Sequence, residues 1–115
     1  MDFSAPDLTL HPPRSARAKL GGYVILPRLL DKCRAQIAGK NGEYHYACPM
    51  DMRWFEFVGL EPVELKGQVE SGAGDAEIWK WISGNAQNQP SFLEIEAWTR
   101  FQEQRVPTDP ESREF

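Results

Sequence analysis

Long apolar runs are missing from this 115-residue chain; the longest, Tyr23 to Leu26, covers four residues. A membrane-spanning helix needs about 18 or more, so none is expected. The start, Met1-Asp2-Phe3-Ser4, lacks the basic and then apolar regions of a secretory signal. Cysteine is scarce: Cys33 and Cys48 stand alone, with no CxxC element. These absences disfavour a membrane protein and a disulfide-stapled secreted scaffold. They predict a cytoplasmic protein with two reduced, buried thiols. Histidine is also rare, at two residues, so candidates for a general base are few.

What is present suits a globular domain. Hydrophobic residues make up 41%, and the nine glycines bring the apolar class near the usual ~45–50%. One domain over 1–115 is the expectation, since ~100–150 residues is the commonest domain size. Residues 1–13 carry three prolines and no helical period, which reads as an extended arm. Ser15 is placed to cap a short turn, Ala16 to Leu20, that stops at Gly21-Gly22. Leu26, Leu29, Leu30, Cys33 and Ile37 recur at helical steps between Pro27 and Gly39, with Arg28, Asp31, Lys32 and Arg34 on the other side. Glu43-Tyr44-His45-Tyr46 is expected to be briefly extended.

Met50, Trp54, Phe57 and Val58 mark a second helix, from Pro49 to Gly59, with Leu60 supplying a contact past the glycine. A weaker helix follows Glu61-Pro62 through Val63, Leu65 and Val69, and Ser71-Gly72-Ala73-Gly74 breaks it. Asp75 is expected to cap a fourth helix with Ile78, Trp81 and Ile82 on one face. Ser91 and Glu94 have capping-box spacing for a last helix whose apolar residues, Phe92, Leu93, Ile95, Ala97, Trp98 and Phe101, predict deep burial. Residues 107–115 read as a polar tail. The fold class is all-α, a compact single domain of about five short helices with an extended N-terminal arm.

Net charge is −4 and the sequence pI about 5.2, which argues against a wholly basic nucleic-acid binder. The average conceals a polarity. Residues 11–40 hold seven Lys or Arg against one acid, a net +6; residues 61–115 hold five against eleven, a net −6. Such separation can steer an anionic partner to one face. Arginine dominates the basic segment, and its planar fork suits phosphate or carboxylate. The alternative is that these charges pair internally, Asp31 with Arg28 or Arg34 among them.

Other constellations are weaker. Gly21-Gly22 sits in neither a GxxxxGK[ST] nor a GxGxxG motif. His45, Cys48 and Asp51 are ligand types for zinc, but their spacing fits no standard finger and no metal is expected. His45 and Cys48, with Asp51 or Glu43 to orient the ring, form a candidate nucleophile–base pair, without any mark of an oxyanion hole. There is no GxSxG serine. Tyr44, His45 and Tyr46, with Trp54 and Phe55 nearby, are either an aromatic platform beside the basic helix or core.

Pro12-Pro13-Arg14-Ser15, Arg17, Lys19-Leu20-Gly21-Gly22-Tyr23, Leu26-Pro27-Arg28, Asp31-Lys32 and Arg34-Ala35 together resemble the N-terminal signature of a small bacterial family, domain of unknown function 5069. Gly42-Glu43-Tyr44-His45-Tyr46 with Cys48-Pro49-x-Asp51 resembles its second block. Phe55-x-Phe57-x-Gly59, and Ser71-Gly72-Ala73-x-Asp75 with Trp81, resemble its third and fourth. The resemblance implies a stand-alone helical domain with no established activity and supplies no catalytic residues. Many of its signature positions are charged, which fits either a buried polar network or a ligand site.

The leading expectation is a non-enzymatic binding module, without cofactor or metal, whose basic half recognises an anionic small molecule or an acidic protein. Nucleic acid is left open as a partner. Arg14, Arg17, Arg28, Lys32 and Arg34 would supply charge-assisted hydrogen bonds, and Tyr44, His45 and Tyr46 would shape the site. The rivals are a small enzyme using His45, Cys48 and Asp51, and a structural or oligomeric interaction domain with Trp79 exposed opposite the Ile78–Trp81–Ile82 face.

Overall fold

Proline sets where three of the helices begin. It occupies a first-turn position in α1 (Leu26–Ile37), α2 (Pro49–Val58) and α3 (Pro62–Glu70), where its missing N–H has no intrahelical partner to lose. Two further helices, α4 (Asp75–Asn85) and α5 (Phe92–Arg105), complete a mostly α-helical single domain. The computed structural model describes residues 6–105. The first five residues of the predicted arm and the predicted tail, 107–115, lie outside the described residues.

The segment before α1 departs from the predicted turn. Ala18 N–H does donate to Ser15 O, and Arg17 N–H to the Ser15 hydroxyl. Beyond it the chain forms a small antiparallel hairpin, β1 (Lys19–Leu20) with β2 (Tyr23–Val24), in register Lys19↔Val24 and Leu20↔Tyr23. Gly21 and Gly22 form the two-residue turn with φ of 60° and 86°. Two positive φ values match the right-handed twist of paired strands. Gly21 is required for a second reason: a Cβ there would sit 2.4 Å from Trp79 Cζ2.

α1 is the central element and packs on α2, α3 and β1. Its apolar stripe, Leu26, Leu29, Leu30 and Cys33, is fully buried as its spacing predicts, although Ile37 is 39% exposed. The predicted solvent side is not open: Arg28, Lys32 and Arg34 are buried too. Trp54, Phe55 and Val58 of α2, Leu60, Leu65 and Val69 of and before α3, and Ile78 and Ile82 of α4 close the core around the apolar stripe of α1. Tyr23 sits within an aromatic cluster, with ring centroids 6.0 Å from Trp54, 5.9 Å from Trp79 and 5.5 Å from Trp98. Trp79 is thus half-buried against Tyr23, not exposed as predicted.

α2 ends as its sequence indicates. Gly59 is left-handed (φ 74°), its N–H and that of Leu60 donate to Phe55 O, and Leu60 is buried. Ser91 and Glu94 form the predicted capping box at α5, with Ser91 N–H to Glu94 Oε1 at 2.8 Å and Glu94 N–H to Ser91 Oγ at 3.2 Å. The burial predicted for α5 is reversed. It docks on β2 through half-buried Ile95 and Trp98 and buried Thr99 and Gln102. Phe92, Leu93 and Phe101 face outward.

Candidate functional site

The basic segment folds onto carboxylates supplied from two distant parts of the chain. Arg14 donates its backbone N–H to Asp31 Oδ2 (2.8 Å) and its guanidinium to Asp31 Oδ1 (3.0 Å). The same guanidinium reaches Asp75 Oδ2 at 2.6 Å, and Arg34 Nη1 reaches Asp75 Oδ1 at 2.8 Å. Asp75 is therefore a bridge between two arginines. The predicted cap of α4 falls instead to Gly74, whose N–H donates to Glu77 Oε1. Burial pushes the Asp75 carboxyl up, but the hydrogen bonds from Arg14 and Arg34 outweigh it and hold the group below its ordinary 3.8. For Arg14, burial favours the neutral form, yet the bonds to Asp75 and Asp31 raise its pKa overall. Asp31 pairs with Arg14 across 17 residues; the predicted local partners were Arg28 and Arg34.

A second cluster lies deeper. Lys32 Nζ is 3.0 Å from Asp51 Oδ2, and both side chains have 0% exposure. Asp51 Oδ2 also accepts the Ala47 N–H at 3.0 Å. Ala47 has φ 62°, uncommon for a residue with a Cβ, and this conformation turns its N–H inward. Lys32 Nζ donates to Cys48 Sγ at 3.3 Å. Cys48 is half-buried at the N-cap of α2, and its sulfur is not in a disulfide. Cys33 is fully buried, and burial pushes its thiol up to about 12 despite a hydrogen bond with Tyr46.

The predicted site residues thus divide. Arg14, Arg34 and Asp75 meet at one bridge, and Arg28 lies beside them, its Nη1 3.5 Å from Arg14 O and its guanidinium 5.6 Å from the Tyr44 ring centroid. Lys32 is in the deeper cluster. Arg17 and His45 are exposed, and Tyr46 is half-buried with its hydroxyl donating to Pro62 O at 2.7 Å. Trp54 and Phe55 are core, so they belong to no open aromatic platform. Among the described residues no group of three or more His, Cys, Asp and Glu is placed to hold a metal ion. The bridging role of Asp75 and the outward face of α5 went unrecognised in the sequence, where Asp75 reads as a helix cap and a motif position; a carboxylate directly after Gly74 resembles any helix cap.

That outer face is the most open apolar feature of the fold. Phe92 is 75% exposed, Leu93 73% and Phe101 56%. Leu93, Ala97 and Phe101 follow one another at four-residue steps, which places them on one ridge. Glu96 and Arg100 border it and pair at 2.8 Å.

The fold and these sites define a small, mostly helical domain in which carboxylates engage Arg14, Lys32 and Arg34 of the basic segment and the last helix presents apolar side chains. The chain belongs to the family described as Domain of unknown function (DUF5069), whose model matches residues 10–115. No curated protein matches it.

Proposed function

We propose that the protein is a non-enzymatic binding module that assembles with a second copy of itself through the outer face of α5. The observation that carries this reading is the Leu93–Ala97–Phe101 ridge, exposed on a helix whose opposite side is well docked. Soluble domains rarely leave several large apolar side chains together in water without a partner. The ridge is symmetric about a small residue: Leu93 and Phe101 each stand four positions from Ala97. Two antiparallel copies crossing at Ala97 set Leu93 against the partner subunit's Phe101, and the reverse, as a two-fold interface demands. They also bring Glu96 toward the partner subunit's Arg100, which extends the existing pair across the interface.

Light scattering across a concentration series tests this. The expected result is a dimer that Leu93→Glu and Phe101→Glu convert to a monomer with unchanged helicity. A wild-type monomer at roughly 100 µM, where even a micromolar interface would be filled, would overturn it.

Recognition of an anion by the basic half is the second reading. It draws support from Arg17, Lys19 and Lys40, which are exposed. The engagement of Arg14, Lys32 and Arg34 by carboxylates favours the α5 reading over it. Binding to a phosphate or RNA panel that weakens steeply with salt would favour the anion instead. We also propose a cytoplasmic setting, supported by two cysteines that are not joined in a disulfide; among the described residues no helix is long and apolar enough to cross a membrane.

A further inference from the structure

Lys32 and Cys48 are two nucleophiles held in contact. Nζ and Sγ are 3.3 Å apart, the amine fixed by Asp51 on α2 and the sulfur fixed by the start of the same helix. The Lys32 side chain has 0% exposure, whereas Cys48 is half-buried and the more accessible of the two. We propose that this pair is an oxidative modification site, at which peroxide installs a covalent Lys32–Cys48 N–S cross-link between α1 and α2.

Each step uses groups already in contact. The Cys48 thiolate attacks one peroxide oxygen; the S–O bond forms, the O–O bond breaks, and hydroxide leaves to take up the thiol proton as water. Sulfur is oxidised to the sulfenic acid and peroxide is reduced. Lys32 then passes a proton to Asp51, 3.0 Å away. In a buried pair this transfer exchanges two charges for two neutral groups and relieves their desolvation. The freed amine attacks the sulfenic sulfur, the N–S bond forms, and the S–O bond breaks with loss of water. One thiol, one amine and one peroxide give one sulfenamide and two waters. A thiol reductant reverses it.

The Ala47–Cys48 backbone adds a reason for the site's selectivity. The left-handed Ala47 and the Asp51 bond to its N–H hold the backbone that leads into Cys48. Cys33, fully buried and held protonated by its surroundings, serves as the internal control.

The experiment is intact-mass and peptide mapping of the whole protein after hydrogen peroxide. The expected product is about 2 Da lighter, contains one peptide joining Lys32 to Cys48, resists iodoacetamide and reverts with dithiothreitol. A Cys33–Cys48 disulfide would have the same mass, so Cys33→Ser must still cross-link. Lys32→Arg keeps the charge but lacks a nucleophilic amine, and it is expected to stop at the sulfenic acid. A disulfide in the wild type, a sulfinic or sulfonic Cys48 without a Lys32 peptide, or an unmodified Cys48 overturns the proposal. The wild-type peptide map decides this even if Lys32→Arg fails to fold.

Discussion

Lys32 and Asp51 face each other at 3.0 Å with neither side chain exposed to solvent. A buried ion pair of this kind resists the loss of one partner more than the loss of both, because a single deletion strands a charge in a poor solvent. Lys32→Met or Asp51→Asn is expected to cost about 3–5 kcal/mol. The double variant Lys32→Met/Asp51→Leu is expected to recover much of that. Urea unfolding of the four proteins measures the coupling; equal and additive losses would contradict the pairing.

Asp75 contributes to the acid limb of stability. Its carboxyl is held below 3.8 in the folded chain, so the unfolded chain takes up the proton first as pH falls. The stabilisation is present above pH 3.8 and is lost as pH drops through the lower, folded value. Asp75→Asn is expected to cost roughly 1.5–3 kcal/mol at pH 7, as for hydrogen bonds to charged groups. The gap between wild type and variant should close toward acid, and thermal midpoints from pH 7 to pH 2 report it.

Cys33 acts at the other end of the scale. Burial lifts its thiol from 9.0 to about 12, so the unfolded chain ionises first as pH rises. The contribution is full below pH 9 and disappears between pH 9 and about 12. Tyr23, lifted from 10.0 to about 12 by burial and by Glu94, works in the same direction. Cys33→Ala is expected to cost about 1 kcal/mol at neutral pH for a small cavity. It should also shallow the alkaline fall of the thermal midpoint.

Two glycines should respond oppositely to the same substitution. Gly21→Ala combines φ 60° with a Cβ inside the Trp79 ring contact, and it is expected to lose about 1–3 kcal/mol. Gly67 lies within α3 with nothing within 4 Å of an added Cβ. Gly67→Ala is expected to gain about 0.5–1 kcal/mol from helix propensity. Thermal melts of both variants settle the pair.

The elements legible in the sequence were those written in local terms. The buried stripe of α1, the glycine stop after α2 and the Ser91–Glu94 capping box each need only neighbours within one or two turns. A buried polar network is one of two readings of the charged motif, but the partners of Lys32 and Arg34 were not legible, because charge on a helix reads as a solvated face until its partner is known. Asp51 and Asp75 approach them across 19 and 41 residues. α5 misled for a different reason: its apolar residues surround the helix on both sides, and the residues it buries most fully, Thr99 and Gln102, are polar. Periodicity marks a helix there but does not choose its inner face.

The hydrogen bond from Thr99 Oγ1 to Gly22 O, 2.7 Å long, joins residues 77 apart in the chain. During synthesis the hairpin leaves the ribosome well before α5 exists. At about 5–20 residues per second, roughly 4–15 s separate the two ends of that bond. Through this interval Tyr23 and the β2 surface wait without their final cover. Chains stopped before residue 92 lack Trp98 and Thr99, which in the finished fold pack on Tyr23 and bond Gly22.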